Sequence, residues 1–186
     1  MTIKLDKIVV IDIEATCWQK DPPSEQESEI IEIGICIVDV ARAKPIEKES
    51  ILVRPECSQI SEFCTKLTTL TQAEVDGGIT FSEACFQLRK KYESLQRVWA
   101  SWGNYDKNMF EKQCLSRNIK YPFGIRHINV KNLFALVHVL PKEVGMANAL
   151  KLLDIPLEGT HHRGADDAWN ISKILGKLLL QGRFNN

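Results

Sequence analysis

A chain of 186 residues, 44% apolar and 26% charged, is long enough for one domain to bury a core without disulfide or metal staples. Its composition excludes a disordered or collagen-like chain, and no apolar run approaches the ~18 residues of a membrane-spanning helix. Lys/Arg and Asp/Glu balance at 24 each, but residues 1–95 hold 11 basic against 17 acidic side chains and residues 96–186 hold 13 against 7. Such an asymmetry suits a metal-loaded site with a polyanion lying across it.

The six cysteines form no CxxC pair, so neither a zinc cluster nor a disulfide framework is expected. The first residues lack the apolar core of a secretion signal, and the expected location is the cytoplasm, away from any membrane. Residues 1–186 read as a single domain with its core at about 7–180, without repeats or linkers.

Along the chain, Lys7–Glu14 (KIVVIDIE) predicts a strand buried on both faces, and Gln19–Ser28, centred on Pro22-Pro23, a loop. Glu29–Asp39 and Glu49–Val53 predict two more strands, and the short links imply an antiparallel start to the sheet. Short helices and turns follow to Gly77-Gly78, with Thr71–Glu74 shaped as a capping box. Thr80–Leu95 predicts a helix, Arg97–Trp102 a fourth strand, and Asp106–Asn118, Gly145–Leu153 and Asp167–Leu180 further helices, the last ended by Gly182. This order predicts a mixed sheet covered by helices.

Asp12 and Glu14 lie two apart on a strand and therefore project to one face. Two carboxylates at the end of a buried strand repel each other and are costly to desolvate; a hard divalent cation such as Mg²⁺ or Mn²⁺ relieves both problems. A solvated strand end would also accommodate them. In the last helix the apolar stripe Ile171, Ile174, Leu175 and Leu178 lies 4, 7, 8 and 11 residues after Asp167, so Asp167 heads the buried face. Asp166 instead lines up with Asn170, Lys173 and Lys177 on the wet face, where helix capping explains it. Asp106 likewise heads the stripe Met109, Phe110 and Cys114. Three such sites could bring four carboxylates together at one end of the sheet.

Asp12-Ile13-Glu14-Ala15-Thr16, Asp106, and His162 five residues before Asp167 resemble the three motifs of the DEDD exonuclease superfamily, in its DEDDh branch. The spacing selects His162 over His161, and Arg163 stands where the tyrosine branch carries its tyrosine. Asp12–Cys17, Val53-Arg54-Pro55-Glu56, Ile60–Gln72, Lys120-Tyr121-Pro122 and His162–Asn170 are similar to the subfamily of the histone-mRNA 3′-end exonuclease and its RNA-interference-regulating relatives. The subfamily's usual glycine at the second position of Thr68-Thr69-Leu70-Thr71 is here Thr69, and Tyr105-Asp106-Lys107 replaces a Trp-Asp-Met. Longer members add an N-terminal nucleic-acid-binding domain; ahead of Asp12 there is no room for one, so a stand-alone nuclease domain is expected.

The resemblance implies an α/β, ribonuclease-H-like three-layer fold, a mixed five-stranded sheet with helices on both faces. It implies a monomer that releases nucleoside 5′-monophosphates from single-stranded 3′ ends, RNA favoured over DNA. Two Mg²⁺ ions, for which Mn²⁺ can substitute, would lie ~3.5–4 Å apart. Asp12 would bridge them, Glu14 and Asp167 would hold the nucleophile side, and Asp106 would act through water. His162 would be the general base. Backbone at Ala15 and Thr16 would contact the terminal ribose, while Phe63 and Leu70 would wedge against the last base and Tyr105 would offer a second platform. Read from the residues alone, Phe63 and Leu70 could equally be core. The alternatives are a DNA-directed exonuclease of the same chemistry and a catalytically dead nucleic-acid-binding adaptor.

Overall fold

The computed structural model describes residues 2–183; residues 1 and 184–186 of the expected domain lie outside them. β1 (Lys4–Ala15) is the central strand. Val9, Ile11 and Ile13 are buried on one face and Ile8 and Val10 on the other, which only a strand covered on both sides requires. β2 (Ile30–Asp39) and β3 (Lys44–Leu52) follow antiparallel, and β4 (Arg97–Ser101) and β5 (His127–Asn129) are added parallel on the other side of β1. The order is β3-β2-β1-β4-β5, the mixed five-stranded sheet expected.

Beyond β3 lie two short helices, α1 (Glu62–Thr68) and α2 (Gln72–Asp76), the second opened by the expected Thr71–Glu74 capping box. α3 (Phe81–Lys91) and α4 (Tyr105–Ser116) cover the Val9/Ile11/Ile13 face through Phe81, Leu88, Met109 and Phe110. α5 (Val130–Val137), α6 (Met146–Leu152) and α7 (Gly164–Gln181) cover the Ile8/Val10 face through Phe134, Leu150, Ile171, Ile174 and Leu175. Helices on both faces make three layers.

The structure moves several expected boundaries. β3 begins at Lys44, not Glu49, because Lys44, Glu47 and Lys48 are exposed at the sheet edge and show no apolar signal. α3 stops at Lys91, short of Leu95. α7 starts three residues before Asp167. Asn170, expected on the wet face, is buried beneath the preceding loop, where its side chain accepts from the Glu158 N–H and donates to the Glu158 carbonyl.

One contact fixes α7 on the sheet. A Cβ placed on Gly34 of β2 would lie 1.8 Å from the Gly164 carbonyl carbon and 2.3 Å from the Ala165 nitrogen. A Cβ on Gly164 would in turn meet Gly34 N at 2.9 Å and the Asp12 carbonyl at 3.0 Å. Two glycines thus let a helix start rest directly on backbone, beside the residue paired with Gly34, which is Asp12.

Candidate active site

The acidic residues converge where β1 ends. Asp12, Glu14, Asp106 and Asp167 all line one cavity of about 380 Å³, together with Ile13, Ala15, Cys17, Leu67, Trp102, Tyr105, Gly145, Met146, His161 and His162. Oxygens of Asp12, Glu14 and Asp167 lie within 4.8 Å of one another. Asp106 stands slightly apart, its Oδ1 accepting the Ile13 N–H at 2.9 Å. Both strand carboxylates project from β1 on the α7 side, as the alternation requires, and Asp106 and Asp167 enter from the first turns of α4 and α7.

Helical phase separates the neighbouring aspartates as expected. Asp167 is buried, whereas Asp166 turns away to an ion pair with Lys48 and accepts the Thr160 N–H at 2.7 Å. A buried carboxylate that the sequence reading passed over completes the scaffold. Glu32, opposite Glu14 on β2, accepts from Gly164 N at 3.0 Å, Arg163 Nε at 3.2 Å and Ser50 Oγ at 2.6 Å. It pins the start of α7 to the sheet by a charge-assisted cluster.

Crowded carboxylates out of water hold protons tightly. Burial, then the charges of Asp167, Glu32 and Asp106, push Glu14 up to about 8. Burial and the same neighbours raise Asp12 well above the usual carboxylate range. Asp106 rises to about 6 by burial, restrained by N–H donors at Ile13 and its own backbone and by the Ser101 hydroxyl. Asp167 is raised by burial against the His162 N–H and the two imidazoles. Among the described residues no lysine or arginine forms an ion pair with Asp12, Glu14 or Asp167. Oδ1 of Asp167 is moreover buried without a hydrogen-bond partner. A crowded all-oxygen donor set without a lysine or arginine partner, which otherwise holds protons tightly, fits a hard divalent ion.

The histidines divide their contacts with Asp167. His161 Nδ1 lies 2.9 Å from Oδ2, and the His162 backbone N–H donates to the same oxygen at 2.9 Å. The two rings stack with centroids 4.0 Å apart. Burial and the adjacent His161 push His162 below its ordinary pKa, so it is a neutral base at neutral pH. Spacing alone would not have shown that His161 touches the carboxylate.

The residues expected to face a nucleotide are partly redistributed. Ala15 and the exposed Tyr105 line the cavity as expected. Thr16 does not: its N–H donates to the Glu29 carbonyl, its carbonyl accepts from Ser28, and its hydroxyl bonds the Glu27 carbonyl and Glu29 N–H, so it secures the 17–29 loop. Leu70 is fully buried against Ile31, Cys64 and Val75, a core residue that no base can reach. The apolar residue of α1 that faces the cavity is Leu67, with Phe63 exposed one turn earlier on the same helix. Helical spacing Phe63–Leu67 was the available signal. Trp102 and Met146 also line the cavity without having been anticipated.

The carboxylate-lined cavity thus opens at the end of the central strand of a mixed five-stranded sheet. The exonuclease family model (RNase_T) matches residues 9–175, and the chain belongs to that family. It is 30% identical to the 3′-5′ exoribonuclease 1 of Homo sapiens over 95% of this chain and 53% of that protein. The chain thus spans about half the length of the curated relatives it matches first. The fold superimposes on the nuclease domain of 3′hExo, a DEDDh family member bound to rAMP, with TM-score 0.82 at 29% identity, covering 97% of this chain and 96% of that one. A 3′-exonuclease solved in 3′-end-specific recognition of a histone mRNA stem-loop gives TM-score 0.85 at 28% identity, over 97% and 66% of the two chains. The sheet is therefore ribonuclease-H-like.

Proposed function

We propose that this chain is a divalent-metal-dependent 3′→5′ exonuclease that removes nucleoside 5′-monophosphates from RNA 3′ ends. The observation that carries the reading is the Asp12–Glu14–Asp167 cage, three buried or half-buried carboxylates within 4.8 Å, with one Asp167 oxygen left unpartnered and, among the described residues, no lysine or arginine in an ion pair with any of the three. Family membership supports exonuclease chemistry, and the relatives' exoribonuclease names and their complexes with rAMP and a histone mRNA stem-loop support RNA.

Asp12, Glu14 and Asp167 would hold two divalent ions, Mg²⁺ with Mn²⁺ able to substitute, and Asp106 would contribute from across the cavity, through water. Such ions, when bound, supply an activated water at neutral pH and neutralise charge on the phosphate. His162 takes the proton of the attacking water on its unprotonated ring nitrogen, a role its depressed pKa allows. Attack on phosphorus expels the 3′ oxygen of the preceding nucleotide, which takes up a proton, and the 5′-monophosphate leaves. Ala15 backbone borders the terminal ribose, and Leu67 and Tyr105 form an apolar wall for the last base. Stacking there would tolerate any base at ~1–3 kcal/mol each.

The test is a time course on 5′-labelled RNA and a matched DNA, each with Mg²⁺, Mn²⁺ or EDTA. The expected result is a descending ladder, faster on RNA and abolished by EDTA. Internal cleavage would overturn exonuclease action, faster DNA decay would favour the DNA-directed enzyme, and tight binding without release would indicate an adaptor.

A further inference from the structure

The turn ahead of α7 holds a second donor set beside the oxygen cage. One ring nitrogen of His161, one of His162 and a carboxylate oxygen of Asp167 lie within 4.8 Å of one another. Among the described residues this is the one candidate metal cluster that offers nitrogen; the other, Asp12, Glu14 and Asp167, offers oxygen alone. Both histidines approach Asp167 at Oδ2, His161 through Nδ1 and His162 through its backbone N–H, each at 2.9 Å, while Oδ1 is buried without a partner. All three residues line the cavity of about 380 Å³, and the His161 side chain is 43% exposed, so an ion from solvent can reach them. Nothing in the proposed hydrolysis uses the His161 ring as a ligand.

Donor chemistry decides which ion suits which set. Mg²⁺ takes oxygen ligands in an octahedron and sheds water reluctantly, which fits the three carboxylates. Zn²⁺ takes imidazole nitrogen at ~2.0–2.1 Å and carboxylate oxygen at ~2.0–2.2 Å, in a tetrahedron that can leave its fourth position to water. Ligands of such an ion stand ~3.3 Å apart, so His161, His162 and Asp167 close onto zinc by movements of ~1.5 Å or less. The two imidazoles are already nearly parallel, with centroids 4.0 Å apart. At a site of this kind zinc binds ahead of manganese, and imidazole further disfavours magnesium.

We propose that His161, His162 and Asp167 form a separate zinc site, and that a zinc ion held there switches the nuclease off. The ion takes the His162 ring nitrogen that hydrolysis needs for its proton, and it draws Asp167 out of the carboxylate cage. This inhibitory role rests on the metal-dependent exonuclease reading; the site itself rests on the geometry of the three side chains. His161 is the distinguishing member, because without it two ligands remain, fewer than the three protein ligands of catalytic zinc centres.

The experiment uses Co²⁺ as a coloured stand-in for zinc, with saturating Mg²⁺ present to fill the oxygen cage, on wild type, His161→Asn and His161→Cys. Asparagine keeps an N–H for Asp167 and loses the ring nitrogen; cysteine keeps a zinc ligand. Wild type is expected to show the intense visible bands of four-coordinate cobalt, bleached by Zn²⁺ at the concentrations that stop Mg²⁺-dependent hydrolysis of 5′-labelled RNA. His161→Asn should lose the bands and need ~100-fold more Zn²⁺ for inhibition, at or beyond the top of the ~10–100-fold that losing a group which merely steadies a ligand costs. His161→Cys should keep both responses. Absence of the bands in wild type, or equal bands and equal zinc inhibition in His161→Asn, overturns the proposal. A wild type that hydrolyses no RNA with Mg²⁺ overturns the exonuclease reading and the inhibitory role with it, and the bands then decide the site alone.

Discussion

Gly34→Ala tests whether the contact between α7 and β2 sets the active site. The added methyl would lie 1.8, 1.9 and 2.3 Å from the Gly164 carbonyl carbon, its oxygen and the Ala165 nitrogen. Ordinary carbon contacts lie at ~3.5–4 Å, so the helix start must retreat by ~1.5 Å or more. Both sides of the clash are backbone, and no rotamer can relieve it. Overpacking of this kind costs ~1–3 kcal/mol, and the upper end, ~3 kcal/mol, applies here. For a chain of this size that is a fall of ~6–12 °C in Tm. Asp167 rides on the same turn, and a displacement of ~1 Å at a reacting centre can cost ~10²-fold in rate. Gly176→Ala is the control: its Cβ would meet the Ala43 carbonyl oxygen at 2.4 Å, three turns along the same helix. Melts by circular dichroism and single-turnover hydrolysis of 5′-labelled RNA with saturating Mg²⁺ should show both variants destabilised and only Gly34→Ala slowed ~100-fold or more. A folded Gly34→Ala protein with the wild-type rate, or equal slowing in Gly176→Ala, refutes the reasoning.

Asp106→Asn and His162→Ala should fold normally and lose ~10²–10⁴-fold in hydrolysis, as a carboxylate facing the ions and a general base demand; near wild-type rates in either would sink the mechanism. In EDTA, Tm should fall by ~4 °C or more as pH rises from about 5 to 8. Glu14 titrates near 8 in the fold against 4.5 in an unfolded chain, so the native state binds more protons across that window and stability drops as they leave. Excess Mg²⁺ should flatten or reverse the trend, and a pH-independent Tm in EDTA would remove the crowded-carboxylate argument. Thr69→Gly should raise Tm by ~1–4 °C, because Thr69 caps α1 at φ 65°, a left-handed conformation costly for a β-branched residue. A drop would mean that the 3.4 Å bond from Arg163 to its hydroxyl outweighs the strain.

Much of the site was legible because its geometry is local. Alternation along β1 places Asp12 and Glu14 on one face, and the stripes of α4 and α7 place Asp106 and Asp167 at their heads; neither needs knowledge of the partner element. What failed was tertiary. Glu32 reads as one polar residue inside a strand until Arg163 and Gly164, more than 130 positions away, arrive to bond it. Leu67 lies on α1 and Leu70 just past its cap at Thr69, and only the packing of that turn against its neighbours decides which meets the cavity and which the core. β5 has three residues, too few for any periodicity, so His127 showed no sign of lying beside Ser101.

The histidine pair shows where motif spacing stops and contact begins. Spacing to Asp167 selects His162, yet the ring resting on that carboxylate belongs to His161, while His162 contributes a backbone N–H and a stacked ring. Both contacts meet at one turn, where His162 adopts a left-handed φ of 65°. An Asp167 gripped this way keeps Oδ1 free for a cation and leaves the His162 ring partly open to water, as a base must be. The turn thus reconciles the motif with the contact. On the proposed mechanism His161 would orient the carboxylate and His162 would take the proton, so replacing His161 should weaken metal binding while replacing His162 should slow the chemical step.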